Sequence, residues 1–349
     1  METKTGLVRS IQWLRAIAAL AVVELHSAVV LKKYGVQIDF GADDQGGRAG
    51  VNLFFVISGF VIYTMTSRHE GRLGQTLEFW RRRAIRIVPM YWLMTAITVA
   101  IAVFAPTLTE YRVGLQHVVA SMLFVPWPDL RGNFAPPLRV GWSLDYEVYF
   151  YLVFGLMLLV RRQNLIRLVL LWGLLSVLAG AVLKPQTALG QMLTSNLLLE
   201  FVGGIVIAYA WRQGLMLSAR AALLTSILGA VLLFVALGWG RAFDEAFKFG
   251  VPSLLLLAGA VGLEAKGAYR FRSRPMLALG DWSYAIYLTH LYSIAAFGQL
   301  LRAAHLAGAV PGAIVVASSV AFAAIVGGVV HHLLELPMQR ALSTEGQSR

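Results

Sequence analysis

The chain has 349 residues, of which 58% are hydrophobic and only 14% charged, with a mean hydropathy of +0.68. Soluble domains carry about a quarter charged residues, so a soluble globular protein is excluded. A net charge of +12 in so apolar a chain points to an anionic membrane leaflet rather than nucleic acid, and the absence of cysteine excludes disulfides, thiolate nucleophiles and Cys-ligated metals.

Ten apolar stretches read as membrane spans: residues 11–31, 51–66, 87–105, 145–160, 168–183, 197–211, 221–237, 251–263, 281–301 and 312–334. Several fall short of the usual ~20 residues and must extend into flanking polar sequence. The run 118–125 is too short to span, and is expected to lie at the interface or to re-enter. No cleavable signal peptide is evident, because the first apolar run is long and interrupted by Arg15. With no internal repeat and no long linker, the expectation is one all-α polytopic membrane domain over residues 1–349. Most of the 30 Lys and Arg residues fall in segments on the same side as the N-terminus, which places both termini inside.

Arg15, Glu24 and His26 interrupt the first span. A charged or ionisable group inside a bilayer costs a few kcal/mol to insert and is a functional-site hypothesis by default. Arg15 and His26 lie about three helical turns apart and share one face at roughly 16 Å separation. Glu24 sits about 200° around the helix from His26 and should face elsewhere.

Next come the glycine-rich entry Gly46-Gly47-Arg48-Ala49-Gly50 and the run Val51-Asn52-Leu53-Phe54-Phe55-Val56-Ile57-Ser58-Gly59-Phe60. Small residues there serve helix packing or leave room for a thin, flexible ligand. At the inner end of the third span, Arg81, Arg82, Arg83 and Arg86 form the densest basic cluster. Positive-inside topology alone accounts for such a cluster. Arg83 and Arg86, however, share a face at i,i+3 and run straight into Pro89, Met90, Tyr91 and Trp92, which suits an anion such as a nucleotide's phosphates.

Trp142-Ser143-Leu144-Asp145-Tyr146-Glu147 opens the fourth span. Asp145 suits a helix N-terminus, whereas the deeper Glu147 calls for a basic partner such as an intramembrane His or Arg. Glu200 is a further intramembrane acid without a supporting motif. In the ninth span Tyr287 and His290 lie at i,i+3, and His290 reads equally as a satisfied bundle histidine. His331 with Glu335 offers only two possible metal ligands, so hydrogen bonding is the preferred reading and no metal site is expected.

Taken in order, Arg15-x10-His26, Gly50-Val51 to Phe60, Arg83-x-x-Arg86 with Pro89, Trp142-Ser143-Leu144 with Glu147, Leu279-Gly280 to His290, and Glu335-x-Pro337 resemble the membrane acyltransferase-3 family, bacterial O-acyltransferases of exopolysaccharide, O-antigen and similar envelope glycans. The resemblance covers essentially the whole chain. It implies a multi-pass protein of the bacterial cytoplasmic (inner) membrane, with acetyl-CoA or another acyl-CoA as donor and an envelope polysaccharide or lipid-linked sugar as acceptor. On that reading Arg83 and Arg86, with Arg82 and Tyr91 beside them, hold the donor. His26 is the base, Glu147 the acid that backs it, with Glu24 as competitor, and Arg15 the inner support. Two departures remove a negative charge: Gln12 and Asn52 stand where relatives commonly carry acids. The chain ends soon after the tenth span, so the fused extracytoplasmic domain of some relatives is expected to be absent. The rival reading from another class is a glycan or lipid transporter, which should show paired repeats or broken helices.

Overall fold

A computed structural model describes residues 8–38, 46–109, 111–237, 244 and 246–344, and their regular structure is entirely helical. In chain order the α-helices are α1 (Arg9–Val30), α2 (Gly46–Met65), α3 (Leu73–Phe104), α4 (Leu115–Met122), α5 (Trp142–Met157), α6 (Arg162–Leu183), α7 (Ala188–Leu193), α8 (Leu198–Arg212), α9 (Ala219–Leu237), α10 (Val251–Ala265), α11 (Arg274–Ala303), α12 (Gly312–Val330) and α13 (Leu336–Thr344). Single π-helical turns, Ala246–Gly250 and His331–Glu335, precede α10 and α13. Every expected span falls on a helix, and the stretch 118–125 coincides largely with the short α4. The terminal stretches 1–7 and 345–349, assigned by charge to the inner side, lie outside the described residues.

Eight helical stretches are long and apolar enough to cross a membrane, and the chain is a helical polytopic membrane protein. Leu170, Leu171, Leu174, Leu175 and Leu178 on α6 are exposed, as are Leu223, Leu224, Ile227, Leu228 and Val231 on α9. Such faces would be ruinous in water and are at home in hydrocarbon. The 32 residues of α3 reach about 48 Å, well beyond the ~30 Å hydrocarbon core, whereas the 16 residues of α5 reach only about 24 Å.

The chain divides into two compact units, Met1–Thr64 with Gly203–His331, and Met65–Val202 with His332–Arg349. In the first, α1 and α11 run parallel, and α2 and α12 run antiparallel to them. Lipid supplies no hydrophobic force between helices, so close packing through small residues must hold them together. A Cβ on Gly280 would strike the backbone of Gln12, and one on Gly50 would lie 2.5 Å from the Ala18 carbonyl oxygen. Gly327 and Gly328 pack on Ile286 and Trp282, while Gly259 on α10 packs on Ser226 of α9. The Glu264 carboxylate accepts the Arg9 and Ser10 amides at 2.9 and 2.8 Å, satisfying the first N–H groups of α1 and complementing its positive end.

In the second unit α3 and α5 run antiparallel. Trp80 donates its indole N–H to the Tyr151 carbonyl at 2.9 Å and lies over Gly155, while Tyr91 lies over Gly141. Phe150 stacks on Phe201 at 4.2 Å and meets Trp172 and Phe154 at 6.0 Å, so this core is largely aromatic.

Candidate functional site

In the first unit the polar groups of α1 meet those of α11. Arg15 donates one guanidinium nitrogen to the Gln12 amide oxygen at 3.1 Å and another to the Ser283 hydroxyl at 2.9 Å. Further along, the rings of His26 and His290 lie 4.9 Å apart, with Nε2 of His290 3.2 Å from Nδ1 of His26. The surrounding carbonyls assign the protons. Nδ1 of His26 is 2.9 Å from the Val22 carbonyl oxygen and Nδ1 of His290 is 2.7 Å from that of Tyr287. A carbonyl can only accept, so both Nδ1 atoms carry hydrogen. Nε2 of His290 is then the acceptor toward His26, and Nε2 of His26 is the nitrogen at which that ring gains or loses a proton. His290 is fully buried and His26 half-buried. Gly47 on α2 lies beside the His26 ring, with its Cβ position 3.4 Å from Cε1.

In the second unit the four arginines of α3 divide into two kinds. Arg81 and Arg82 both pair with Glu78, at 2.7 and 2.6 Å, so their charge is largely answered at an exposed surface. Arg83 is buried at 9% exposure. Its guanidinium touches the Met65 thioether at 3.0 Å and lies 6.0 and 5.7 Å from the ring centroids of Phe79 and Tyr151. Its Nε has no hydrogen-bond partner among the described residues. The half-buried Arg86, one turn further, has no ion pair there either. Two guanidiniums without a carboxylate, one of them buried, are what an anion site requires.

The remaining expected residues are placed as follows. Glu147, in the second unit, accepts the Tyr151 hydroxyl, and the Tyr151 ring is the one beneath Arg83. Tyr91, expected at the donor site, is fully buried. Its hydroxyl meets Ser121 Oγ at 2.6 Å and its ring packs on Phe124 at 4.8 Å, so this side chain binds α4 to α3 and offers no surface to a ligand. Arg82 is exposed and committed to Glu78. Glu24 is exposed on α1 with no hydrogen bond or ion pair among the described residues. Asn52 is buried with neither amide atom bonded among them. Glu335 receives the Gln339 amide at 3.1 Å, and no group of three or more His, Asp or Glu among the described residues is placed to hold a metal.

Sequence reasoning missed two features. The first is the pairing of His290 with His26. Its signal was present, since Ser283 and His290 lie two turns apart on one face of α11, as Arg15 and His26 do at three turns on α1. The second is the role of Glu78 in separating the arginines, visible as i,i+3 and i,i+4 spacing to Arg81 and Arg82.

A family model for an acyltransferase domain, Acyl_transf_3, matches residues 8–332. The exopolysaccharide production protein ExoZ of Rhizobium meliloti is 36% identical, over 84% of this chain and 90% of its own length. Acyltransferase MdmB of Streptomyces mycarofaciens is 30% identical, over 98% and 94%. The peptidoglycan O-acetyltransferase OatA of Listeria monocytogenes is 26% identical over 81% of this chain, which spans only 49% of that protein. No solved structure matches.

Proposed function

The chain belongs to the acyltransferase-3 family, and we propose that this membrane acyltransferase carries an acyl group, acetyl foremost, from cytoplasmic acyl-CoA to a hydroxyl of a cell-envelope polysaccharide or its lipid-linked precursor, with His26 as general base. The observation that carries this reading is the proton assignment at His26. Nδ1–H is held by the Val22 carbonyl and His290, which leaves Nε2 as the basic nitrogen. A sugar hydroxyl is a weak nucleophile near neutral pH, and an imidazole is the side chain suited to take its proton. In the proposed step Nε2 takes that proton while the hydroxyl oxygen attacks the thioester carbonyl. Collapse expels the CoA thiolate, which takes the proton back. The new ester and free CoA thiol balance the reaction.

Arg83 and Arg86 supply the contacts for the donor's phosphates, and neither Arg82 nor Tyr91 is part of that site in this proposal. Arg15 supports the inner part of α1 through Ser283 on α11. The imidazolium formed during transfer calls for a negative charge, the role proposed for Glu147. The names of ExoZ and OatA point to exopolysaccharide and peptidoglycan as acceptor classes to try first. The enzyme would sit in the bacterial cytoplasmic membrane with both termini inside.

The test is release of CoA thiol by purified protein in proteoliposomes given acetyl-CoA and an envelope polysaccharide. Wild-type protein should release CoA only when both substrates are present, and His26→Ala should abolish release while still binding CoA. Turnover like wild type in folded His26→Ala protein would overturn the assignment.

A further inference from the structure

The second unit contains a segment whose depth in the membrane follows from its anchors on α3. Arg86 to Phe104 is about 27 Å along the helix, close to the ~30 Å of hydrocarbon. The last turns of α3 before Phe104 carry no charge, and Val103 and Phe104 are exposed. The Phe104 end therefore lies near one membrane surface and the Arg83 end near the other. The chain leaves α3 at Phe104 and then returns to the level of Tyr91 and Trp92. Ser121 meets the Tyr91 hydroxyl at 2.6 Å, and the Met122 carbonyl accepts the Trp92 indole N–H at 2.9 Å. Gly141, just before α5, has its Cβ position 2.6 Å from the Tyr91 ring. Trp92 lies about 18 Å below Phe104 along α3, and side chains on a helix lean toward its N-terminus, which takes these contacts deeper still. The short α5 fits this placement, since it starts at mid-depth and runs only toward the Arg83 end.

Residues 123–138 have no α-helix. Irregular backbone is tolerated at membrane depth only where protein buries it or water reaches it. Here the Asp129 carboxylate accepts the Arg131 and Asn133 amides and the Asn133 side chain, but Arg131, Asn133 and Arg139 are exposed, and water is the solvent suited to the two guanidiniums. Arg139, two residues from Gly141, has no ion pair among the described residues. Leu115 and Val119 on α4 and its C-cap Leu123 are exposed at i, i+4 and i+8, a stripe suited to lipid, while His117 and Ser121 face inward and are buried. The turn out of α4 is strained as well. Phe124 takes φ 58°, a left-handed conformation unfavourable to a bulky residue, and is held there against Tyr91.

We propose that residues 111–141 re-enter the bilayer and form the floor of a water-filled well open on the Phe104 side, where Arg139 meets an anionic group of a hydrophilic acceptor. The well brings a sugar substituent to mid-membrane depth without exposing it to lipid, and Arg139 favours acceptors bearing a carboxylate or phosphate. The identity of the occupant rests on the acyltransfer reading; the hydration of the segment does not.

The chain's lack of cysteine allows a direct test on the full-length protein in proteoliposomes. Single variants Asn133→Cys, Arg139→Cys, Val119→Cys, Ile97→Cys and Arg82→Cys are treated with a membrane-impermeant sulfonated maleimide from each side. Asn133→Cys and Arg139→Cys should label from the side opposite Arg82→Cys, and an order of magnitude faster than the lipid-facing Ile97→Cys and Val119→Cys. Labelling no faster than those controls, or only from the Arg82 side, overturns the well. Anionic and cationic methanethiosulfonates then report the floor charge. Beside Asn133 the charges of Asp129 and Arg131 oppose one another, so Asn133→Cys should prefer the anionic reagent through Arg139, and adding Arg139→Gln should remove the preference. A preference that survives Arg139→Gln overturns the role of Arg139. Neither readout requires turnover, so both stand apart from the test of His26.

Discussion

Replacing Arg83 with methionine should weaken donor binding while leaving the donor-free protein at least as stable as before. The guanidinium is buried, has only a thioether and two ring faces around it, and leaves Nε without a partner among the described residues. Contacts with aromatic faces return about 0.5–2 kcal/mol, whereas holding an unpaired charge out of water costs several. A methionine fills much of the same volume without that cost. With donor present the balance reverses. A charge-assisted hydrogen bond to phosphate is worth about 1.5–3 kcal/mol, so Arg83→Met should raise the KM for acyl-CoA by roughly 10- to 150-fold. Arg82→Gln removes only an exposed pair with Glu78, worth about 0–1 kcal/mol, and should change KM by less than about fivefold. Initial rates against acyl-CoA at saturating acceptor, with melting in detergent in the presence and absence of CoA, measure both effects. An equal rise in KM for Arg82→Gln, or a large fall in melting temperature for donor-free Arg83→Met, would refute the argument.

Three further outcomes are expected. His290→Phe keeps a ring but removes the acceptor facing His26 Nδ1, so kcat should fall about 10- to 150-fold, corresponding to one hydrogen bond of ~1.5–3 kcal/mol to a charged ring; an unchanged kcat with unchanged CoA binding would dismiss the pairing. Gly280→Ala drives a methyl group into the Gln12 backbone, which no rotamer relieves, and should cost about 1–3 kcal/mol or more. Gly74→Ala, which meets nothing within 4 Å, should be neutral or slightly stabilising in the same melting assay. His117 donates through Nε2 to the Ala135 carbonyl at 3.1 Å and accepts the Tyr111 hydroxyl at Nδ1 at 3.0 Å. His117→Phe removes both contacts and leaves the Ala135 carbonyl and the Tyr111 hydroxyl without this partner at a buried position, which should cost about 1–3 kcal/mol. Amide exchange across 111–135, compared with wild type at one fixed pH, should quicken, and unchanged exchange would dismiss the role of these contacts.

Much of the helical pattern was legible because apolar runs long enough to cross a bilayer admit few other structures. Fixed spacing likewise brought Arg15 and His26 to one face. Partners across helices were less legible. Pairing of His26 with His290 depends on α1 and α11 running side by side in the same direction, which the closeness allowed by Gly280 secures and which no local pattern states. Tyr91 misled because its neighbour Arg86 suggested a ligand site, whereas its hydroxyl serves Ser121. Short spans are expected from sequence to extend into flanking residues, yet α5 keeps only 16, and the reason lies thirty residues earlier, in a loop that occupies the other half of the membrane beside α3.

The His26–His290 pair also shows how backbone geometry fixes an imidazole tautomer. Gln12 lies against Gly280 and Arg15 reaches Ser283, so the two helices begin in register. From there His26 is about 16 Å along α1 but His290 only about 10 Å along α11, a mismatch of about 6 Å between the two α-carbons. Both rings lean back along their parallel helices, His26 to the Val22 carbonyl and His290 to that of Tyr287, so neither lean offsets the other and the reach of the two side chains spans the difference. The Val22 contact fixes the proton on Nδ1 of His26, on the side that meets His290, and leaves Nε2 as the basic nitrogen of that ring. Leu25→Pro, which strikes the Ala21 carbonyl and kinks α1 through Val22 to His26, would break the tautomer and the His26–His290 pair together. Loss of activity from that change should resemble His26→Ala rather than His290→Phe.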